Sequence, residues 1–420
     1  MRYIADLHLH SKYSRATSKD MVLEVLDKWG KMKGIDILGT GDFTHPLWLR
    51  EIKEKLEPLG NGLFKLKDEF ILDKERDKQL FFILSTEISC IYSKNGKVRR
   101  IHILFYLPTI EAVEKVNSAL AKIGNLQSDG RPILGLDAQE LVKVVLEVSE
   151  DALIIPAHIW TPWFSLFGSN SGFDSVEECF GETTEYIYAM ETGLSSDPPM
   201  NWRLSTLDRF VLVSNSDAHS PENLGREANV FNTDNLSFEE LKKILKEKDK
   251  KKFLYTIEFF PQEGKYHYDG HRKCGLSFSP EETKKLKGIC PKCHRPLTKG
   301  VLYRVDSLAD REEGFIPSSA VPFKHLIPLK EIIAEIIGQG KKTKKVEYLY
   351  QEIIRKGESE FKVLLDLPFD ELKKITLPEI AQGVIDMREG KVKVIPGYDG
   401  LYGKILFEKE KTKKEQNKLF

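Results

Sequence analysis

Histidine and acidic residues stand at the ends of successive apolar runs in the first half of the chain, a pattern typical of metal-dependent hydrolases. The clearest run is Asp6-Leu7-His8-Leu9-His10. Alternate side chains of an extended strand share a face, so this run presents two imidazoles to one site. Imidazole together with carboxylate is the ligand mixture that suits zinc, manganese or iron. The candidate metal ligands are His8, His10, Asp42, His45, Glu87, His102, His158, Asp217 and His219.

A single histidine in such a position is more often a core residue satisfied by one ordinary hydrogen bond. The set differs because its members recur after apolar runs, which are Ile35–Leu38 before Asp42, Phe81–Leu84 before Glu87, Leu153–Ile155 before His158 and Phe210–Val213 before Asp217. Ligands at the carboxyl ends of several strands are how a barrel of alternating strands and helices forms an active site. The sequence therefore predicts a metal centre at one end of an α/β barrel.

The order of these motifs resembles the polymerase-and-histidinol-phosphatase (PHP) domain, a metal-dependent phosphoesterase barrel. The resemblance rests on Asp6-Leu7-His8-Leu9-His10-Ser11, the Thr40-Gly41-Asp42 turn, a lone glutamate, an isolated histidine and Asp217-Ala218-His219. It implies a distorted (β/α) barrel of PHP type. Two departures leave a third metal position open. Tyr13-Ser14-Arg15 stands where many members carry a histidine or aspartate, and Gly41-Asp42-Phe43-Thr44-His45 stands where many read Thr-Asp-His.

Length and composition set the outer limits. A chain of 420 residues is too long for one ordinary core and predicts two or three domains. Lysine plus arginine equals aspartate plus glutamate at 64 each, so the overall charge does not indicate a nucleic-acid partner. No apolar stretch approaches the roughly 18 residues that span a bilayer, and the first residues begin a strand rather than a signal peptide. We expect a cytoplasmic, nucleoid-associated protein without a membrane partner.

The alternation of strand-like runs with helical patterns at 21–33, 109–123, 139–149 and 238–251 predicts parallel strands with crossover helices. This pattern defines a first domain at residues 1–256. Beyond residue 303, helical patterns at 329–337, 346–356, 368–375 and 377–388 predict a mixed, largely helical C-terminal domain at residues 304–420. Residues 360–365 are predicted to form a strand or a short helix.

Between these domains, two pairs of metal-type ligands predict a zinc ribbon at residues 257–303. His271 and Cys274 form one pair and Cys290 and Cys293 the other, with 15 residues between the two pairs. Within each pair, two residues separate the two ligands, a spacing that lets a turn direct both side chains at one ion. Four protein ligands leave no position for water, so the zinc is expected to be structural. His267 is an alternative to His271 as the fourth ligand.

The whole chain resembles the endonuclease Q family of DNA-repair enzymes. The resemblance adds to the PHP motifs the segment Gly264–Cys274, the Cys-Pro-x-Cys pair and the terminal Pro396-Gly397-Tyr398-Asp399-Gly400-Leu401-Tyr402-Gly403-Lys404-Ile405. It implies incision of DNA 5′ of deaminated bases (uracil, hypoxanthine, xanthine) and of abasic sites. DNA with such lesions is then the expected partner, with other repair or replication proteins as further candidates. Composition and spacing alone indicate only a metal-dependent phosphoesterase with a zinc-containing accessory domain.

The barrel is expected to hold two or three divalent ions, zinc, manganese or magnesium. We assign one ion to His8, His10, Glu87 and Asp217 and its neighbour to Glu87, His102 and His158, with Glu87 as the bridge, since two ions can activate water and stabilise the leaving oxygen. His45 and His219 would hold a third ion or orient the phosphate, and Asp42 would be a ligand or support one. The candidate catalytic residues are Glu87, Asp217, Arg15 and Asp197. For Arg15 the alternative is a buried ion pair, and for Asp197 a plain turn.

Six aromatic residues are candidate contacts to DNA. Recognition of a damaged base in a duplex generally requires that the base be extruded, and aromatic rings can stack on it. The candidates near His158 are Trp160, Trp163, Phe164 and Phe167, although core packing is the commoner fate of such residues. Glycine beside Tyr398 and Tyr402 would let the backbone approach a ligand, and the alternative there is a turn between two strands.

Three other functions stay open. A PHP-type 3′ exonuclease or a small-molecule phosphatase would use the same barrel, but a phosphatase has little need of a long extension with a zinc ribbon. A DNA-binding module that has lost activity would lack metal ligands, and here only the position of Arg15 departs clearly from the family pattern.

Overall fold

Short strands and helices alternate along most of the chain, as the apolar pattern predicts. The computed structural model describes residues 1–407. Its strands are β1 (Arg2–Asp6), β2 (Ile37–Gly39), β3 (Leu56–Pro58), β4 (Phe64–Leu66), β5 (Phe81–Lys94), β6 (Lys97–Leu107), β7 (Ile133–Leu134), β8 (Leu153–Pro156), β9 (Ala189–Glu191), β10 (Val211–Val213), β11 (Ala228–Asn232), β12 (Phe253–Glu258), β13 (Asp269–His271), β14 (Leu276–Phe278), β15 (Phe323–His325), β16 (Val392–Ile395) and β17 (Lys404–Phe407).

The α-helices are α1 (Leu23–Lys33), α2 (Pro46–Lys55), α3 (Ile110–Leu120), α4 (Ala138–Val148), α5 (Val176–Phe180), α6 (Pro198–Trp202), α7 (Phe238–Glu247), α8 (Pro280–Lys285), α9 (Val301–Leu308), α10 (Leu329–Ile337), α11 (Lys344–Gly357), α12 (Phe369–Ile375) and α13 (Pro378–Arg388). Of these thirteen α-helices in the described part of the chain, eight lie close to predicted positions, whereas α2, α5, α6, α8 and α9 were not predicted. Residues 362–366 form a π-helical turn, which resolves the choice between strand and helix there. Among residues 1–407, no helix combines the length and the apolar character needed to cross a membrane.

The main sheet is open and mixed. Its strands follow the order β15-β12-β11-β1-β2-β5-β4-β3, with β6 and β7 paired to β5 and β8 paired to β6. Strands β1, β2 and β5 are parallel, whereas β11 pairs antiparallel with β1 and β12, and β6 pairs antiparallel with β5 and β8. Strands β9 and β10 form a separate parallel pair. The predicted α/β class is therefore confirmed, and purely parallel pairing was wrong.

The inner faces of these strands share one apolar cluster. It contains Ala5 and Leu7 from the first motif, Ile83 of β5, Ile155 of β8 and Val213 of β10. Single bridges, Ile154 to Ile187 and Leu9 to Ala218, connect β9 and β10 with the main sheet. The polar ends of β1, β8, β9 and β10 are consequently brought to the same side of this cluster.

The later part of the chain continues the main sheet across the predicted domain boundaries. Strand β12 runs through residue 256, and β15 pairs with it in parallel. Strands β13 and β14 form a hairpin in the predicted ribbon, and β16 and β17 form another near the end of the described chain. Residues 408–420 of the predicted C-terminal domain lie outside the described residues.

Candidate metal centre

Two groups of possible metal ligands meet beside the inner apolar cluster. One group is His8, His10, Glu87 and Asp217, and the other is Glu87, His102 and His158. Within each group, one donor atom per residue lies within 4.8 Å of every other. Glu87 belongs to both groups. The structure thus brings together the residues that we assigned to the two ions, with Glu87 in the bridging position.

The first group presents donor atoms without hydrogen-bond partners. Nε2 of His10 lies 3.2 Å from Oε2 of Glu87 and 3.2 Å from Oδ1 of Asp217, and Nε2 of His8 lies 3.6 Å from the same two oxygens. Three of these buried atoms have no hydrogen-bond partner: Nε2 of His8, Nε2 of His10 and Oδ1 of Asp217. Buried polar atoms require a partner. A divalent cation among them would supply it, so these residues fit a metal ion.

Two other carboxylates hold the imidazoles in place. Nδ1 of His8 lies 3.0 Å from each carboxylate oxygen of Glu191, and Nδ1 of His10 lies 3.0 Å from Oδ1 of Asp42. Such contacts fix the ring orientation and leave Nε2 free for a metal. Asp42 also accepts hydrogen bonds from the backbone and hydroxyl of Ser11. Asp42 lies outside both ligand groups, and its contact with His10 fits the supporting role that was the alternative to a direct ligand.

Glu191 was missed as a site residue, although the sequence carries a signal for it. Residues 187–190 form an apolar run, and Glu191 ends that run just as Asp217 follows β10. Its Oε2 also accepts a hydrogen bond from the backbone of His158 at 2.8 Å. Glu191 therefore contacts a member of each ligand group, His8 in the first and His158 in the second.

The second group depends on the register between β5 and β6. Glu87 pairs with Leu104, and Ser89 pairs with His102, so Glu87 and His102 are diagonal neighbours across the ladder. Nδ1 of His102 lies 2.7 Å from Oε1 of Glu87, and Nε2 of His158 lies 3.0 Å from the same oxygen. Glu87 was expected just beyond a strand, but β5 extends past it to Lys94.

Backbone strain marks the ends of the ligand-bearing segments. Asp42, His158 and Asp217 have φ values of 50°, 30° and 46°. This left-handed region is costly for residues other than glycine, although aspartate and histidine tolerate it better than most. At each position the chain turns sharply after a strand and directs the side chain inward.

The electrostatics of the centre favour cations. Burial acts to raise the pKa of Glu87, but the charges of His102 and Arg131 outweigh it and hold this pKa well below its usual range. Burial acts to lower the pKa of His8, yet nearby carboxylates raise it well above the usual value. Burial lowers the pKa of His102 to about 4. The charge of His102 therefore acts on Glu87 only in acid; at neutral pH the uncharged ring offers a lone pair, and the carboxylates attract metal ions.

His45 and His219 do not join either ligand group. The ring of His45 stacks on Tyr13 with 4.4 Å between centroids. The ring of His219 lies 4.6 Å from that of His10, and its Nδ1 lies 2.9 Å from the carbonyl oxygen of Asp217. Within residues 1–407, these two histidines and Asp42 form no third ligand group. A third ion or a phosphate contact at His45 and His219 therefore stays a prediction.

Two candidate catalytic residues also lie elsewhere. The side chain of Arg15 is 85% exposed, and its Nε lies 3.9 Å from Oδ2 of Asp129. The alternative of a buried ion pair is therefore wrong. Arg15 also makes no polar contact with either ligand group. Asp197 caps α6 by accepting a hydrogen bond from the backbone of Met200, and its Oδ2 lies 3.2 Å from Nε2 of His325. Asp197 is thus a buried capping residue.

The aromatic candidates divide by burial. Trp160 and Phe167 are buried in the core and stack on each other with 4.8 Å between centroids, so their proposed contact with a base is corrected. Trp163 is 49% exposed and lies under the guanidinium of Arg100 at 5.0 Å. The ring of Phe164 lies 4.8 Å from that of His102. Phe164 therefore lies beside the metal centre, and Trp163 directly precedes it in the chain.

The two C-terminal tyrosines lie near the ribbon. Tyr402 is 70% exposed, and Nζ of Lys265 lies 4.8 Å from the centre of its ring. Tyr398 is half-buried and forms a backbone bridge with Tyr268. Both residues belong to the turn that connects β16 with β17, as the turn alternative supposed.

A third ligand group lies in the predicted ribbon. His271, Cys274, Cys290 and Cys293 each offer one donor atom within 4.8 Å of the others, and the three cysteines form no disulfide. Sulfur and nitrogen donors in this number suit a tetrahedral ion. His267 lies outside the group and is buried, with Nδ1 unpaired. The structure places His271, not His267, with the cysteines.

Solved structures resemble the chain over nearly its whole length. The crystal structure of the lesion-specific endonuclease PfuEndoQ from Pyrococcus furiosus is 33% identical, with a TM-score of 0.86, and the match covers 99% of this chain and 98% of that one. The chain belongs to the endonuclease Q family. The prediction of an endonuclease from the whole-chain resemblance is thereby confirmed.

A second endonuclease Q structure contains a 27-mer duplex substrate with an abasic lesion at its active site. It is 33% identical to this chain, with a TM-score of 0.84, and the match covers 99% of this chain and 100% of that one. The mixed α/β fold described above is therefore the fold of endonuclease Q, including the part that follows the metal centre.

Sequence relatives of this endonuclease Q family member extend to both archaea and bacteria. The YqxK protein of Bacillus subtilis is 29% identical over 96% of this chain and 98% of its own length. The MJ0043 protein of Methanocaldococcus jannaschii is 37% identical over 64% of this chain, which spans 34% of that longer protein. Residues 328–391 match the family model described as the MJ0043 C-terminal domain.

Proposed function

We propose that this protein hydrolyses DNA phosphodiesters 5′ of deaminated bases, namely uracil, hypoxanthine and xanthine, and of abasic sites. The observation that carries the proposal is the pair of ligand groups sharing Glu87, within a fold that matches an endonuclease Q bound to an abasic-lesion duplex over 99% of the chain. Membership of the family supports the reaction, and the ligand groups supply the chemistry.

The barrel ions in this proposal are two or three divalent metals, zinc, manganese or magnesium. His8, His10, Glu87 and Asp217 would hold one, and Glu87, His102 and His158 a second. Divalent ions in such a site lower the pKa of water and stabilise negative charge on the leaving oxygen. The inner apolar cluster, drawn from β1, β2, β5, β6, β8 and β10, supports a distorted barrel of PHP type as the frame.

The chain's own residues orient this chemistry. Glu191 and Asp42 fix the rings of His8 and His10 through Nδ1, so that neither imidazole needs to rotate when substrate binds. The buried walls of the site exclude bulk water from the ligand atoms, which strengthens every charge interaction there. Asp217, at the strained end of its segment, faces both imidazoles.

Lesion recognition is assigned to two neighbouring aromatic residues, the exposed Trp163 and the half-buried Phe164. An extruded base or sugar would stack against Trp163 and Phe164, since Phe164 contacts the ring of His102. Selectivity would arise from the lower cost of unpairing a deaminated base and from hydrogen bonds to the carbonyl that replaces its exocyclic amine. The proximity of Arg100 to Trp163 adds positive charge for the DNA backbone.

The ribbon is proposed to bind one structural zinc through His271, Cys274, Cys290 and Cys293. Residues 304–420 would form the accessory DNA-binding domain, and Tyr398 and Tyr402 would contact the duplex near the ribbon. Nearby Lys265, paired with the exposed ring of Tyr402, supports this surface as one that meets phosphate. Other repair or replication proteins remain candidate partners within this proposal.

The test uses metal-loaded protein and end-labelled duplexes that contain one uracil, one hypoxanthine, one xanthine, one abasic site or no lesion. We expect one nick immediately 5′ of each lesion, with the base still attached where there is one, and little cleavage of the undamaged duplex. Equal digestion of all five would indicate a nonspecific nuclease. Stepwise loss of nucleotides from a 3′ end would indicate the exonuclease.

A further inference from the structure

An arginine that the sequence did not single out lies against the metal centre. Nη1 of Arg131 is 2.9 Å from Oε2 of Glu87, the oxygen that also faces His8 and His10. The side chain of Arg131 is 26% exposed, so one side of it contacts the buried carboxylate and another reaches the solvent. A guanidinium in this position can meet a molecule that enters the centre.

The turn that carries Arg131 is fixed on both sides. Its backbone nitrogen donates to Oδ1 of Asp129 at 3.1 Å, the nitrogen of Gly130 donates to the carbonyl oxygen of Tyr13 at 3.0 Å, and Pro132 accepts from Ser89 on β5 at 3.0 Å. A Cβ on Gly130 would come within 2.3 Å of Oδ2 of Asp42, so only glycine fits there. The guanidinium is therefore held in position before any substrate arrives.

Arg131 is also the positively charged side chain nearest to the ligand carboxylates. Within residues 1–407, no other lysine or arginine forms an ion pair with the carboxylates of Glu87 or Asp217. Arg15, which we predicted for this role, is exposed and turned toward Asp129. A guanidinium has five N–H donors, and Arg131 uses one of them on Glu87, which leaves donors for a second anion.

We propose that Arg131 binds a non-bridging oxygen of the scissile phosphate and neutralises the charge that grows there during hydrolysis. This inference rests on the proposed function, because it takes a phosphodiester as the substrate. The planar guanidinium suits a phosphate oxygen better than an ammonium does. Because negative charge on the phosphoryl oxygens increases toward the transition state, the contact strengthens as the reaction proceeds and acts mainly on kcat.

The experiment compares Arg131→Ala and Arg131→Lys with the wild type on an abasic-site duplex and on bis(4-nitrophenyl) phosphate. Arg50→Gln, an exposed arginine on α2, is the matched control. We expect Arg131→Ala to lower kcat by about 100-fold or more with little change in KM. Arg131→Lys should keep part of the activity, and added guanidinium ion should restore part of it to Arg131→Ala. Metal content per chain should equal that of the wild type.

Loss of barrel metal in both Arg131 variants would overturn the proposal, since Arg131 would then only support Glu87. An unchanged kcat in folded Arg131→Ala would overturn it as well. The small diester separates this inference from the function: a wild type that hydrolyses bis(4-nitrophenyl) phosphate but cuts no lesion duplex contradicts the lesion specificity, while the Arg131 comparison on the small diester still decides the role of the arginine.

Discussion

Nδ1 of His10 lies 3.0 Å from Oδ1 of Asp42, and this contact turns Nε2 of His10 toward Glu87 and Asp217. Asp42 is itself held by the backbone nitrogen and hydroxyl of Ser11. The aspartate would thus act on a bound metal through the histidine. Carboxylate, imidazole and metal in series make the imidazole a better donor and fix its direction.

Asp42→Asn is therefore expected to weaken metal binding without removing a ligand. The amide keeps the shape but loses the charge that orients His10, so the affinity for the barrel ions should fall by about 10-fold to 100-fold. Activity should return when the metal concentration is raised. Titration of the metal-free protein, followed by activity, measures the shift. Full activity of Asp42→Asn at the wild-type metal concentration would contradict the supporting role.

Glu87→Gln is expected to abolish activity that added metal cannot restore. Gln keeps the size of the side chain but removes the charge shared by both ligand groups, so the two ions would repel each other without compensation. Turnover should fall by orders of magnitude while circular dichroism stays that of the wild type. Elemental analysis should show loss of barrel metal and retention of the ribbon ion. An active Glu87→Gln protein would exclude a bridging carboxylate.

The contrast between these residues shows what the sequence could predict. Alternation within one strand places His8 and His10 together, and this needs only local geometry. Glu87 and His102 meet through the register of β5 and β6, which no local pattern specifies. Arg131 reaches Glu87 from a turn that packs against the first motif. Such long-range packing carries no periodic signal, so the arginine was missed.

The aromatic residues show the same limit at shorter range. Trp160 and Trp163 lie three residues apart in one irregular segment, yet Trp160 is buried and Trp163 is half exposed. Outside a helix or strand, spacing does not decide which side chain faces the core. In the ribbon, by contrast, the spacing of His271 and Cys274 was enough to predict that they lie together, because a ligand pair on one turn is a local geometry.

Cys290→Ala is expected to remove the ribbon ion and to lower thermal stability. Binding free energy in such a site is also folding free energy, because the ligands are not gathered in the unfolded chain. Zinc content should fall by one ion per chain, and the melting temperature should decrease. His294→Ala is the control, since His294 is adjacent but exposed and outside the ligand group. Unchanged zinc and melting in Cys290→Ala would contradict a structural ion.

Because of His267, we expect the free energy of unfolding to decrease in acid. Burial lowers its pKa to about 4, with Asp197 opposing part of the effect, whereas a histidine in the unfolded chain titrates near 6.5. The unfolded state therefore binds more protons between these values, and the free energy of unfolding decreases as pH falls from about 6.5 to about 4. The loss attributable to His267 is about 3 kcal/mol at most.

His267→Phe should reduce this acid sensitivity. Phenylalanine keeps a ring beside Tyr268, with which His267 stacks at 5.5 Å between centroids, and it removes the unpaired Nδ1. Urea unfolding of both proteins at several pH values between 4.5 and 7.5 measures the difference, and any acid loss of ribbon metal occurs in both. Parallel curves for the two proteins would show that His267 does not titrate as described.

Trp163→Ala is expected to weaken lesion binding and leave the fold intact. Its ring is half exposed, so its removal opens no cavity, whereas loss of stacking on a base costs about 1–3 kcal/mol. The dissociation constant for a uracil duplex should therefore rise by about 5-fold to 150-fold, with an unchanged melting temperature. Trp163→Phe should keep most of the affinity, and Tyr186→Ala, an exposed aromatic residue in another segment, should behave as the wild type.

Because the sugar at an abasic site offers no base to stack on, the loss should be larger for uracil than for the abasic duplex. Equal losses for both lesions and for undamaged DNA would assign Trp163 to general DNA contact.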